Sequence, residues 1–114
     1  MLLNNKGNEN NPIIQLGRLF KKLREKSGKT IREVAERIDL GHGNDNTGIG
    51  INKRVGMIND FEDGRMYTLT AAQWVNIAEL FNIPMTDLIE EKGWPVPSLE
   101  CAAFVIKKLH EKYN

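Results

Sequence analysis

Cysteine and histidine are scarce in this chain of 114 residues, which contains one cysteine, Cys101, and two histidines. A single cysteine excludes a disulfide within the chain, and three soft ligands in total are too few for a structural zinc site. Long apolar runs are also lacking, because the apolar residues 1–3 are followed directly by Asn4 and Asn5. The sequence therefore predicts neither a signal peptide nor a membrane span, and we expect a cytoplasmic protein.

Charge is nearly balanced overall, at +1, but it is unevenly distributed along the chain. Residues 1–54 contain eleven basic and six acidic side chains, whereas residues 55–114 contain five and nine. Within residues 18–32, seven basic residues stand against Glu25 alone. A basic half can attract a polyanion such as DNA, although a solvated helix face would explain the same charges.

Apolar residues make up 40% of the chain, which is enough for one modest core in a single domain. They recur at helical spacing, and no segment alternates as a strand does. We predict helices over about 13–26, 31–40, 52–62, 71–81, 85–92 and 99–112. Gly28 is the expected end of the first helix. Thr30 with Glu33 and Thr70 with Gln73 form predicted capping boxes, and the predicted fold class is all-α.

Three parts of the chain differ in composition. Residues 1–12 are rich in asparagine and are expected to form a mobile, disordered arm, with a DNA-reaching arm as the alternative. Residues 13–93 form the predicted helical module, interrupted at about 41–51 by a glycine-rich segment that we expect to be a mobile loop. Residues 94–114 are predicted to be a proline-stiffened connector followed by a C-terminal helix.

Four stretches carry a family resemblance, namely 16–24 (LGRLFKKLR), 30–38 (TIREVAERI), 58–64 (INDFEDG) and 74–84 (WVNIAELFNIP). In this order they resemble the first helix, the second helix, the end of the recognition helix and the fourth helix of the lambda-repressor-like, Cro-type (XRE) helix-turn-helix family. The resemblance implies a five-helix DNA-binding module, to which this chain adds a C-terminal helix.

Two features depart from the family pattern. Glu62 lies thirteen residues further along the chain than the family spacing would place a glutamate. Ile31 stands where many relatives have a glutamine that contacts phosphate. Both changes affect the geometry of DNA contact rather than the core, and we expect Glu62 to bond a first-helix arginine such as Arg18.

The resemblance implies a set of DNA contacts. In this family the recognition helix enters the major groove, while the preceding helix and the loops hold phosphates. Arginine can read guanine and asparagine can read adenine, each through two hydrogen bonds. The predicted DNA-binding residues are Thr30, Arg32, Asn52, Lys53, Arg54, Met57, Asn59 and Arg65.

Other chemistries lack their essential residues. The glycine-rich segment contains fragments of a calcium loop without its bidentate glutamate, and phosphate-loop glycines without the following lysine. The two histidines, His42 and His110, lie far apart, and neither has a serine or cysteine at a supporting spacing. We therefore expect no metal site, no cofactor and no enzymatic activity.

The last helix has apolar residues on two faces. Leu99, Ala102, Ile106, Leu109 and Tyr113 form one stripe, and further apolar residues lie beside it. One face would dock on the module and the other would pair with a second chain. The predicted dimer interface consists of Cys101, Phe104, Val105 and Lys108, and full burial against the chain's own module is the alternative.

Together these features predict a sequence-specific transcriptional regulator that binds double-stranded DNA as a homodimer by operator occupancy. The alternative is a protein-interaction module, or an antitoxin, that keeps the helix-turn-helix fold. Such a protein would bind a partner protein through the inserted loop or the C-terminal helix.

Overall fold

The structure is a computed structural model that describes residues 11–38, 49–65 and 68–113. Over these residues the chain is all-helical and contains no strand, which confirms the predicted all-α class. The described residues form six helices, namely α1 (Pro12–Ser27), α2 (Ile31–Ile38), α3 (Ile49–Glu62), α4 (Ala71–Leu80), α5 (Thr86–Lys92) and α6 (Ser98–Tyr113).

The ends of α1 are fixed by local hydrogen bonds. The Asn11 side chain accepts from the backbone N–H of Ile13 at 2.8 Å, and Pro12 occupies the first helical turn, where its missing N–H costs nothing. Gly28 closes the helix at φ 83°, as predicted, in a conformation that side chains disfavour. Asn11 thus caps α1 and Pro12 is its first residue, whereas residues 1–10 of the predicted arm lie outside the described residues.

Both predicted capping boxes are present. The Thr30 hydroxyl accepts from the Glu33 N–H at 3.0 Å, and the Glu33 carboxylate accepts from the Thr30 N–H at 2.8 Å. The same reciprocal pair joins Thr70 and Gln73 at the start of α4, at 3.1 and 3.0 Å. Each box satisfies two backbone donors that a helix start leaves without partners, so the sequence defined these two helix starts.

The last three residues of the predicted loop, 49–51, are helical. They form the first turn of α3 instead of belonging to a loop. Ile51 is half-buried against the core, and this contact extends the helix to the N-terminal side of its predicted start at Asn52. Residues 39–48 lie outside the described residues, as does the predicted mobility of that part of the loop.

The core is built around four aromatic rings from α1, α3 and α4 and from the residue that ends α4. Phe20 lies 5.5 Å from Trp74 and 6.0 Å from Phe61, and Phe61 lies 5.4 Å from Trp74, between ring centroids. Phe81 completes the cluster at 6.4 Å from Phe20. Most of these pairs meet edge to face, the arrangement that aromatic quadrupoles favour. The cluster fixes how α1, α3 and α4 meet.

α1 and α3 approach so closely that the contact requires glycine. A Cβ at Gly17 would overlap with the backbone carbonyl of Phe61. Gly17, Phe20 and Arg24 are spaced at i, i+3 and i+7, so one side of α1 faces the end of α3. This close approach brings Arg24 within reach of Glu62.

Arg24 and Glu62 form a buried ion pair, with 7% and 1% of their side chains exposed. The Arg24 Nε donates to Glu62 Oε2 at 2.7 Å and a terminal nitrogen donates to Oε1 at 3.0 Å, while the other terminal nitrogen donates to the Lys29 carbonyl at 2.8 Å. Hydrogen bonding to Glu62 raises the pKa of the Arg24 guanidinium, against the opposing effect of burial. A first-helix arginine therefore holds Glu62, but the expected Arg18 is exposed.

α6 packs against both α1 and α4 and becomes part of the chain's own core. Cys101 and Val105 are fully buried, so the prediction that they form a dimer interface is wrong. Two helix neighbours require a broad apolar surface, which explains the residues beside the stripe. Burial raises the pKa of the Cys101 thiol. Phe104 and Lys108 are half-exposed, and Leu99 is 38% exposed despite its place in the predicted stripe.

We expect Arg24→Met to lower the free energy of unfolding by about 3–5 kcal/mol, because it leaves the Glu62 carboxylate buried without its partner. Adding Glu62→Leu should restore most of that loss, since two apolar side chains replace the pair. Urea unfolding measures both effects. Glu25→Gln is the control. Glu25 is exposed, and its carboxylate comes no closer than 4.0 Å to the Arg24 guanidinium, so this pair contributes little to stability. Equal losses in the single and double variants would contradict the burial argument.

Candidate nucleic-acid interface

The C-terminal end of α2 is held by side chains of two other helices. The Arg54 Nε of α3 donates to the Ala35 carbonyl at 2.9 Å, and the Asn76 Nδ2 of α4 donates to the Ile38 carbonyl at 3.0 Å. The last four carbonyls of a helix have no partner within it. A cation there is also attracted by the partial negative charge at the C-terminal end of the helix dipole. The first bond holds α3 beside α2, and the second holds α4 beside α2.

The prediction that Arg54 reads a base is wrong. Arg54 is only 8% exposed, and its guanidinium is bonded inside the protein. The sequence did carry a signal for this position. Arg54, Ile58 and Phe61 are spaced at i, i+4 and i+7, and the last two are core residues, so Arg54 lies on the buried side of α3.

The opposite side of α3 is exposed and mostly polar. Asn52, Lys53, Asn59 and Asp60 are all exposed, and their spacing of i, i+1, i+7 and i+8 puts them on one face. Gly56 lies in the middle of this face, and no heavy atom lies within 4 Å of the Cβ that it lacks. This α3 face therefore has a shallow centre between polar side chains, and it contains three of the predicted base-facing residues.

The flanks of the α3 face carry the remaining predicted contacts. Met57 is half-buried, at the edge of the face. Arg65 follows the helix and is exposed, with its Nε 3.8 Å from a carboxylate oxygen of Asp60. A pair so exposed to solvent is weak, so the Arg65 guanidinium can exchange that partner for a phosphate.

The start of α2 presents a hydroxyl and a cation to solvent. Thr30 is exposed, and its hydroxyl oxygen is already engaged by the Glu33 N–H. The reciprocal hydrogen bond from the Thr30 backbone lowers the pKa of Glu33, which keeps that carboxylate ionised. Arg32 is exposed and forms a solvent-accessible pair with Glu36 at 3.4 Å. Arg32 is therefore the solvent-exposed cation at this helix start.

The basic segment 18–32 is less basic at the surface than its composition suggests. Arg24 is neutralised in the core by Glu62. Lys29 is half-buried, and the other five basic residues are exposed, namely Arg18, Lys21, Lys22, Lys26 and Arg32. These exposed cations extend from α1 to the start of α2, so a positively charged surface remains beside the helix pair.

Residues 11–38, 49–65 and 68–113 contain neither a cluster of metal ligands nor a membrane-spanning helix. Within those ranges, no group of three or more His, Cys, Asp or Glu side chains is arranged to hold a metal ion. None of the helices in the same ranges combines the length and the apolar character needed to cross a membrane.

Comparison of the chain with protein-family models, with curated proteins and with solved structures found no match. A functional assignment must therefore come from the geometry of the described helices and from the resemblance carried by the four sequence stretches.

We expect Arg54→Met to lower the free energy of unfolding by about 1–3 kcal/mol, because the Ala35 carbonyl loses a charge-assisted donor in a buried position. Lys53→Met is the matched control at the neighbouring exposed position and should change stability by less than about 0.5 kcal/mol. Chemical unfolding of both variants provides the measurement. If both variants change the free energy of unfolding by a similarly small amount, the hydrogen bond from Arg54 to the Ala35 carbonyl does not stabilise the packing of α3 on α2.

Proposed function

We propose that this chain is a non-enzymatic, sequence-specific DNA-binding regulator of the lambda-repressor-like helix-turn-helix type. One observation carries the proposal: α3 is anchored to its neighbours on one side by Arg54 and Glu62, and it exposes a polar face on the other. A helix held in this way beside a preceding short helix is the arrangement that places side chains in a major groove.

The residues of the α3 face have the chemistry for base contacts. Asn52 and Asn59 carry amides that can bond adenine through two hydrogen bonds, and Lys53 can donate to guanine. Met57 offers an apolar contact for a thymine methyl group. Since Arg54 is buried, recognition of guanine through an arginine is not part of this proposal.

Phosphate contacts would come from both sides of the α3 face. Thr30 and Arg32 lie at the start of α2, the end of a helix whose dipole favours an anion, and Arg65 follows α3. Such contacts position a protein on the duplex without reading its sequence. Operator occupancy by two copies, one duplex turn apart, would give a regulator its affinity. Because Cys101 and Val105 are buried within the chain, those copies would need another contact surface.

The first test concerns specificity. After selection of preferred sites from random DNA, we expect Asn59→Ala to weaken binding to the selected site by about 1–3 kcal/mol and to relax base preference at one position. Fluorescence anisotropy with selected and scrambled duplexes measures both effects. Lys107→Ala, which removes an exposed cation on α6, is the control and should leave preference unchanged. An Asn59→Ala variant with unaltered preference would remove α3 from the proposed interface.

The second test separates phosphate contacts from base contacts through salt. We expect Arg32→Ala and Arg65→Ala each to weaken binding to all sequences alike and to reduce the slope of log K against log salt by about 1. A phosphate contact releases counterions, and losing it removes that release. Lack of salt-dependent binding by the unmodified chain would reject DNA as the ligand.

A protein partner is the second candidate, and one observation favours it. Asp60 and Asp63 are exposed at the end of α3, where carboxylates would repel a phosphate backbone. An interaction module or antitoxin would instead use the mixed charges of α3 to select a protein surface. The double substitution Asp60→Asn, Asp63→Asn distinguishes the two candidate functions. If DNA is the ligand, the variant should bind DNA more tightly than the unmodified chain. If a protein is the ligand, neither form should bind DNA.

A further inference from the structure

The N-terminal parts of α1 and α6 leave an apolar groove between them, with a volume of about 430 Å³. The groove residues are Pro12, Gln15, Leu16, Leu19, Leu99, Glu100 and Ala103. Leu16 and Leu19 are half-buried and Leu99 is 38% exposed, so hydrocarbon from both helices meets water here. Covering such a surface is favourable because apolar area leaves water. The groove is distinct from the α3 face.

The chain itself enters the fold at this groove. Pro12, the first residue of α1, is one of the groove residues, and Asn11 caps the helix immediately before it. Ten residues precede Asn11 in the sequence. Their only apolar side chains are those of Met1, Leu2 and Leu3, and residues 4–10 are polar or glycine. An apolar tripeptide is thus tethered by a polar linker to the edge of an apolar groove.

We propose that residues 1–3 fold back and occupy this groove, with residues 4–10 as the linker. The proposal concerns a surface outside the α3 face and does not depend on DNA binding. Its occupant is a named segment of the same chain, and its chemistry is the burial of two leucines and a methionine against Leu16, Leu19 and Leu99.

The linker has sufficient length for this contact. Leu3 lies eight positions before Asn11 in the sequence, and this stretch spans up to about 26–29 Å when extended. The groove follows α1 from Pro12 to Leu19, a rise of roughly 10 Å at 1.5 Å per residue. A flexible chain of eight residues has a root-mean-square span of about 16 Å, which lies between these two lengths. The tripeptide can therefore reach every part of the groove without strain in the linker.

A second copy of the chain fits this surface less well. The groove is formed by seven residues, whereas a stable protein interface uses roughly 20–30 residues on each side. In the described ranges the only large apolar side chains with high exposure are Trp94 and Leu99, and Leu99 already forms part of the groove. A short tether raises the local concentration of the segment to the millimolar range, so a small contact area suffices for an intramolecular occupant.

Methyl NMR on leucine-labelled protein tests the contact directly. We expect nuclear Overhauser effects between the methyl groups of Leu2 or Leu3 and those of Leu16 or Leu99 in the free protein. Leu2→Asn with Leu3→Asn should remove these effects and shift the Leu16, Leu19 and Leu99 methyl resonances. Asn5→Ser with Asn8→Ser is the matched control, because it alters the linker but keeps the apolar tripeptide, and it should leave those resonances unchanged.

Thermal unfolding adds a second readout. We expect the Leu2→Asn, Leu3→Asn variant to melt about 4 °C lower than the unmodified chain. Leu99→Asn should lower the melting temperature as well, and combining all three substitutions should lower it no further than Leu99→Asn alone, because both changes remove the same contact. Leu99 is partly exposed, so this substitution keeps the fold intact for the comparison.

Two outcomes would overturn the proposal. Absence of the inter-segment effects, together with unchanged groove resonances in the Leu2→Asn, Leu3→Asn variant, would show that the tripeptide does not occupy the groove. Sedimentation that finds a dimer in the unmodified chain and a monomer in Leu99→Asn would assign the groove to a second copy. Because none of these measurements uses DNA, their result is independent of the function proposed above.

Discussion

The buried ion pair between Arg24 and Glu62 joins α1 to the end of α3 and thereby directs the exposed face of α3. Its geometry leaves little freedom, since two nitrogens of one guanidinium meet both oxygens of one carboxylate while a third nitrogen bonds the Lys29 carbonyl. Two desolvated charges are stable only with such complete pairing. The glycine at position 17 makes the pair possible, because any side chain there would push α3 away from α1.

Hydrogen bonds from side chains to backbone carbonyls also hold the helices together. Arg54 and Asn76 reach the end of α2, and Lys112 of α6 donates to the Phe81 carbonyl at 2.8 Å, where α4 ends. In each case a helix C-terminus supplies carbonyls without partners inside that helix, and another helix supplies the donor. Contacts between helices thus hold α3 and α4 beside the end of α2.

α6 buries most of its apolar side chains within the chain. Because α6 packs on both α1 and α4, the residues that widen its apolar surface are used within the chain. The apolar surface left at its N-terminal part is the groove shared with α1, bounded by Leu99 and Ala103 on one side and by Leu16 and Leu19 on the other. The polar α3 face and this apolar groove differ in the chemistry of the ligand that each would take.

The sequence by itself determined the all-helical class, the starts of α2 and α4 and the end of α1, because the signals for these are local: the capping boxes at Thr30 and Thr70 and the glycine stop at Gly28 need only neighbouring residues. Of the residues that it predicted to face DNA from α3, Asn52, Lys53 and Asn59 are exposed, whereas Arg54 is buried. Tertiary structure decided which charged residue is buried, since Arg18 and Arg24 both lie on α1 and only the approach of α3 selects Arg24. It likewise decided that Arg54 bonds the end of α2 and that α6 packs into the core, because the partners of these residues are distant in sequence. The helical spacing puts Arg54 on the buried side of α3, but it does not identify the carbonyl that Arg54 bonds.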